Sequence, residues 1–431
     1  MKEKFYSNFV KYFLYFVLFI LFISSILFTY GIFDSYDVSN ILVVFGIISF
    51  IGYIIYKLIY KDVQIWELFV ILISFLLFLS YCYAYDQRIA LRGFFHGREG
   101  IFVIISYYLI FLLSTTIKDK KINNVIFNIL TITGLLNVIY AILQVFNVSN
   151  FVGIKIIDFN DYSTGFLLNS NFFGTLMTLM VGLWLPKYFF EDFEKFSIKY
   201  FLVLLIFIMG LFFSGAMSAF VALIVMFFMS FVYYFLKRKQ YNLKKVLIKY
   251  IVFFLGIGAV FAFTNNFVGS ILSSDVSELF FQASEGIKGN VDESFGTGRI
   301  YIWSKALSAF KDYIWHGIGI DNFAYITNKT GEFIIDPILD VIVYKAHNEY
   351  LQILITQGIF QFIVYLIFIV LILIKSLFNI LKSKNIDITY LAFFFSICGY
   401  LVQAFFNIRI TLIAPVFFIL CGILVSKYYK H

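Results

Sequence analysis

The sequence predicts an all-α, polytopic integral membrane protein with about 12 transmembrane helices and a large extracytoplasmic loop between helices 9 and 10, and three observations carry that prediction. Of its 431 residues, 62% are hydrophobic and 13% charged, with a mean hydropathy of +0.92; water-soluble domains hold about 45–50% apolar and about 25% charged residues. The apolar residues fall into runs of the length a bilayer demands, about 20 residues each. Lys and Arg divide unevenly between alternate connections, as they do when cytoplasmic loops retain the positive charge.

The spans predicted in order are 9–30, 40–60, 66–85, 100–117, 123–147, 172–190, 199–213, 216–236, 247–264, 348–374, 388–406 and 410–427, the pair within 199–236 being the weakest division. With both termini cytoplasmic, inward segments hold 22 of the 33 Lys and Arg residues, the densest group being Lys237, Arg238, Lys239, Lys244, Lys245 and Lys249. Most of the outward cations sit in the long loop, where the rule is weakest. The net charge of +8 thus reflects topology, and no nucleic-acid partner is expected. The first apolar run is too long for a secretory leader and lacks a small-residue cleavage site, so it reads as a retained helix. Cys82, Cys398 and Cys421 all fall inside spans, at no metal-ligand or disulfide spacing.

Three regions follow: helices 1 to 9 over 1–264, an extracytoplasmic loop with amphipathic helices over 265–346, and helices 10 to 12 over 347–431. A second long connection covers 148–171. Long loops in compact proteins are commonly functional. Within the larger one, 273–296 is rich in Ser, Glu, Asp and Gly and is expected to be mobile. Residues 299–312 have helical spacing, with Ile302, Trp303, Ala306, Leu307 and Phe310 on one face, which suits a helix lying on the membrane surface.

That helix would start at a GTGR turn, Gly296 to Arg299, where backbone amides, the helix dipole and a guanidinium all favour an anion. An equal alternative is a surface arginine reaching lipid headgroups. In AHNEYLQILITQG, 346–358, His347 stands where the loop re-enters an apolar helix. A neutral imidazole there can take a proton from a hydroxyl; the alternative is a histidine that caps the helix with Asn348. Glu349 would favour the imidazolium instead. Arg88, Arg92, His96, Arg98 and Glu99 form a compact basic patch between the third and fourth spans, with Arg98 the preferred pyrophosphate contact and Arg88 an accessory. Arg409, between the last two spans, is expected to face a polar cavity, because an unpaired charge is expensive there.

Asp312 and Asp321 read as residues that cap or flank loop helices rather than act as acids, and Asp336 and Asp340 as candidates to hold a cation or an acceptor sugar. The chain has no Gly-rich phosphate loop with Lys, no paired His-Glu-His metal motif and no Gly-x-Ser-x-Gly elbow. Nucleotide-fuelled and zinc-dependent mechanisms are therefore disfavoured, and neither a metal nor a cofactor is expected.

Taken together, GTGR at 296–299, DYIWHGIGIDNF at 312–323 and AHNEYLQILITQGIF at 346–360 resemble, in order and spacing, the signature domain of the O-antigen ligase and O-antigen polymerase superfamily. HGREG at 96–100, STGFLLNSNFFGTLM at 163–177 and Gln144 add to the resemblance. It implies a metal-independent, inverting glycosyltransferase that uses a polyprenyl-diphosphate-linked oligosaccharide on the outer face of the cytoplasmic membrane. His347 would be the base, and Arg299 and Arg98 would grip the donor diphosphate. Two departures stand out: Met217 sits about where an arginine is common, leaving Arg409 or Arg88 to supply a phosphate contact, and His316 replaces a commonly apolar position. His316 would bear on acceptor recognition.

The first functional reading is polymerisation of surface polysaccharide repeat units, with a glycan acceptor, membrane lipid and a chain-length regulator as partners. The alternative is ligase-type transfer to lipid A core, a wall polymer or a protein. A transporter or flippase of lipid-linked glycans would also need many spans, but transporters typically place ionisable residues or broken helices at mid-membrane, whereas the cations here cluster at the outer boundary.

Overall fold

The computed structural model describes residues 2–95, 97–146, 162–191, 196–267, 271–288, 296, 298–326, 334–335, 342–383 and 387–426. His96, Asp336, Asp340 and most of the 148–171 connection lie outside the described residues. The molecule is all-α: α1 (Lys2–Thr29), α2 (Ser35–Tyr60), α3 (Ile65–Cys82), α4 (Gln87–Arg92), α5 (Ile101–Ser114), α6 (Lys120–Val145), α7 (Ser170–Pro186), α8 (Ile198–Ser214), α9 (Met217–Leu236), α10 (Leu243–Phe267), α11 (Ile271–Lys288), α12 (Arg299–Phe310), α13 (Glu349–Lys382), α14 (Ile388–Ala404) and α15 (Ala414–Leu424). Among the described residues, one isolated antiparallel bridge, Ile335 with Ile342, is the only extended pairing.

Among the described residues, eight helices are long and apolar enough to cross a membrane: α1, α2, α3, α6, α7 with its following turn, α9, α10 and α13. The other apolar helices, α5, α8, α14 and α15, are shorter and occupy the four remaining predicted span positions. At 1.5 Å per residue their lengths fall below the roughly 30 Å hydrocarbon thickness.

Helix α7 lies at the centre, buried along nearly its whole length and packed on α14, α8 and α9, while α5 is clasped between α2 and α15. Close helix contact depends on small residues, since apolar lipid gives helices no reason to associate except good packing and hydrogen bonds. A Cβ at Gly182 of α7 would stand 2.5 Å from Ser396 Cα of α14. Peripheral helices show the opposite pattern, with large apolar side chains such as Phe75, Phe78, Ile251 and Leu255 exposed, as a lipid-facing surface requires.

The two signature segments interlock. Helix α13 breaks at Gly358, whose φ is +85°, freeing carbonyls that an unbroken helix would use. The HGIG segment fills the break: Ile318 and Gly319 N–H donate to the Ile355 and Thr356 carbonyls, both at 3.0 Å, and Ile359 N–H donates to the Ile314 carbonyl at 2.8 Å. Gly317 is required by this contact, because a Cβ there would meet the Thr356 carbonyl carbon at 2.3 Å. Irregular backbone at the end of an apolar helix is thereby satisfied within the protein, as such backbone must be.

Two expectations about the long loop are corrected. The polar stretch expected to be mobile contains α11, whose sequence supports helix through side-chain pairs one turn apart: Gln282 Nε2 donates to Glu278 Oε1 at 2.7 Å, and Lys288 Nζ donates to Glu285 Oε1 at 2.6 Å. On α12, Ile302 and Ala306 are buried, but Leu307 is 48% exposed, so the apolar stripe is narrower than its spacing suggested.

Candidate active site

At the end of the bundle where the long loop enters α13, five ionic side chains form a buried chain, none more than 8% exposed. Lys345 Nζ lies 2.8 Å from Asp321 Oδ1 and 3.1 Å from Glu99 Oε2. Arg409 donates from Nε to Glu349 Oε1 at 2.9 Å, with Nη2 2.8 Å from the same oxygen, and its Nε is 3.8 Å from Glu99 Oε1. The Tyr365 and Tyr400 hydroxyls donate to Glu349, both at 3.1 Å. Asp321 Oδ2 accepts the Phe94 N–H at 2.6 Å and the Glu99 N–H at 3.3 Å.

Two cations against three carboxylates leave this cluster formally anionic. Burial works against the Lys345 ammonium, but Asp321 and Glu99 outweigh it and hold the group above the ordinary lysine range. Taking charges out of water is costly enough that such groups need their partners: removing one member of a buried pair typically costs about 3–5 kcal/mol.

His347 occupies the stretch between Lys345 and Glu349. The Ala346 carbonyl accepts the Trp303 indole N–H at 2.8 Å, and the Ala346 N–H donates to Gln352 Oε1 at 2.8 Å. Asn348 is the N-cap of α13, its Oδ1 accepting the Leu351 N–H at 3.0 Å. His347 itself has φ +49°. Of the five described non-glycine residues with positive φ, three belong here: Arg98 at +50°, Asp321 at +57° and His347. Each costs about 1–3 kcal/mol and persists only where surrounding structure enforces it, which is commonest at functional sites.

A cavity of about 130 Å³ opens beside the ionic chain. Lys345 and Arg409 line it together with Ser35, Gly97, Tyr344, Phe28 and Phe172. It shares Leu167 and Leu412 with an apolar pocket lined by Leu18 of α1, Leu130 of α6, Leu176 of α7 and Val416 of α15.

The predicted site residues are distributed unequally around this chamber. Arg409 is on its wall, as expected, and its partner is now identified as Glu349. Arg98 follows Gly97, which lines the cavity, and its guanidinium lies 5.7 Å from the centre of the Tyr36 ring. Arg299 opens α12, its Nη1 donating to the Gly296 carbonyl at 3.2 Å; it stands one helical turn before Trp303 and so belongs to the element that touches Ala346. Asn348 caps α13 as expected. Arg88 is set apart, its side chain 91% exposed and 3.5 Å from Asp86. His316 stacks on Tyr83 at 4.6 Å with Nδ1 2.7 Å from the Gly317 carbonyl oxygen, away from the chamber wall.

The structure adds roles the sequence did not name. Asp321, which flanks the short turn at Phe323–Tyr325, is also an ionic partner of Lys345. Glu349 directs its carboxylate to Arg409 and two tyrosines. Lys345 went unrecognised in the sequence, although a lysine between Val343 and Ala346, two residues before the histidine, is an unusual charge in an apolar run.

Residues 202–366 match the family model described as O-antigen ligase. Over that segment the chain is similar to the O-antigen ligase family. The match runs from α8 through the break in α13 and takes in Arg299, Asp321, Lys345, His347 and Glu349, so the part of the molecule that holds the interlocked signature segments is the part the family defines. No curated protein matches the chain.

Proposed function

We propose that this protein transfers glycan from a polyprenyl-diphosphate-linked donor to a sugar hydroxyl at the outer face of the cytoplasmic membrane, and that it polymerises surface polysaccharide repeat units. The observation that carries the proposal is the cavity near His347 in the chain, whose wall holds the Lys345 and Arg409 side chains.

In this reading the His347 imidazole takes the proton of the acceptor hydroxyl as that oxygen attacks the anomeric carbon. The bond from the anomeric carbon to the diphosphate oxygen breaks, its electron pair stays on the diphosphate, and the anomeric centre inverts. Arg98 next to Gly97, Arg409 on the wall and Arg299 at the start of α12 stabilise the charge that grows on the leaving group, where fixed cations in a water-poor site act most strongly. Asn348 and the start of α13 orient the histidine. Met217, the first residue of α9, supplies no charge where the family commonly has an arginine, and Arg409 takes that part.

The test is conversion of lipid-linked repeat units in membranes, with products resolved by size and by acceptor. A ladder of products that depends on this chain identifies a polymerase, and a single transfer to a new acceptor identifies a ligase. Donor that collects on the inner face when the protein is removed, with no glycosidic bond formed by the purified protein, is the result a transporter gives and overturns both readings.

A further inference from the structure

We infer that Lys345 and Glu349 are positioning residues, a bracket of ion pairs two residues to either side of His347 that sets its backbone and aims its ring. The inference rests on the reading of His347 as the base, and it assigns a role to charges that neither that reading nor the family match explains.

Each arm of the bracket is buried and fastened to a different part of the chain. Lys345 is held by Asp321, from the segment that fills the break in α13, and by Glu99, which precedes α5. Glu349 is held by Arg409 of the last turn and by Tyr365 and Tyr400 of α13 and α14. Between the arms, Ala346 is tied through both its carbonyl and its N–H, and Asn348 through its side chain. The stretch from 345 to 349 is thus anchored on both sides of the histidine, the condition under which an L-residue is kept at φ +49°. The other two strained positions adjoin the same ionic chain, Arg98 next to Glu99 and Asp321 within it.

Stability alone does not account for the arrangement. Buried ion pairs are generally no better for stability than apolar residues of similar volume, and this chain has apolar residues in abundance. What ion pairs add is direction: a carboxylate and an ammonium meet only in a few geometries, so each pair fixes where its backbone runs. A base must be held within a fraction of an ångström of its proton, since a 1 Å misplacement can cost about 100-fold in rate.

Full-length protein in lipid nanodiscs is compared as wild type, Lys345→Met and Lys345→Arg, with donor-dependent kcat and KM measured. Lys345→Met is expected to lower kcat by about 100-fold, and Lys345→Arg to recover most of the loss. A raised KM with unchanged kcat makes Lys345 a donor contact and overturns the inference, as does wild-type kinetics.

The second readout needs no activity. The chain has four histidines, so ε1-carbon-labelled histidine gives four NMR signals, assigned by substitution; Lys345→Met is expected to move the His347 signal in substrate-free protein and to leave His316 in place. An unmoved His347 signal overturns the bracket. Should Lys345→Met not fold, the paired variant Lys345→Gln with Asp321→Asn, which leaves no stranded charge between those two positions, is read the same way, and the same two outcomes decide. If His347→Ala is fully active, the base reading fails while the His347 signal still reports on the bracket.

Discussion

The two ends of the helix bundle satisfy their lysines by different means, and the difference separates structure from function. At the end away from the long loop, Lys237 donates to the Leu381 and Ser383 carbonyls, both at 2.8 Å, Lys249 donates to the Tyr188 carbonyl at 3.0 Å, and Lys375 donates to the Val425 carbonyl at 2.7 Å. These ammonium groups close helix carboxyl ends, where carbonyls lack helical partners and the dipole favours a cation. At the loop end the cations meet carboxylates from distant parts of the chain, line a cavity and adjoin three strained residues. The first arrangement is explained by the helices it caps. The second exceeds any capping requirement, and its cost is understandable only if the geometry it fixes is used.

The largest expected effect tests that contrast directly. Glu349→Gln leaves the Arg409 charge buried without its carboxylate and is expected to destabilise the fold by about 3–5 kcal/mol, read as a lowered thermal midpoint in detergent. An effect no larger than that of Lys237→Met would remove the distinction between the two ends. Gly317→Ala, at φ +71° with a Cβ 2.3 Å from the Thr356 backbone, is expected to cost about 2–4 kcal/mol by adding strain to overpacking, and to reduce transfer as well because it disturbs the segment carrying Asp321. Retained stability together with retained transfer would show that the interlock at Gly358 is dispensable.

Much of the fold was legible because a membrane span is a local property: each apolar run declares itself within about 20 residues, and every predicted span has a helix at its position. The Asn348 cap and the helix after GTGR were legible for the same reason, since caps, turns and helical spacing are written in neighbouring residues. The ionic chain was not. Lys345 and Glu99 are 246 residues apart and Arg409 and Glu349 are 60 apart, and nothing in either neighbourhood names its partner. The ionic role of Asp321 was hidden because an aspartate near glycines and a short turn looks like a cap whether or not a lysine waits across the fold. Helix α11 was missed because its polar, acidic composition resembles a loop, and its stabilising pairs become visible only once the helix is assumed.

Smaller effects sharpen the comparison. Lys237→Met is expected to cost about 0.3–1 kcal/mol, the range for a cation at an accessible helix end, measured by the same thermal unfolding and with transfer unaffected. Smallest of all is the pH response of the ionic chain. Lys345 has its pKa raised in the folded state, so its pairing contributes in full below the unfolded value of about 10.4 and is lost only as pH rises through the higher folded value. Across about pH 6 to 9 the Lys345 contribution to the midpoint is therefore expected to be constant; a drop by pH 9 that Lys345→Met abolishes would contradict the pairing.

The central claim is that His347 performs the chemistry for which the rest of the loop-end site is built. Single-turnover transfer from a purified polyprenyl-diphosphate-linked oligosaccharide, compared between wild type and His347→Ala under donor saturation, tests it most directly. The account predicts a rate lower by about 100- to 10,000-fold, the usual contribution of a general base, with donor binding retained. A His347→Ala protein that turns over at the wild-type rate would contradict it.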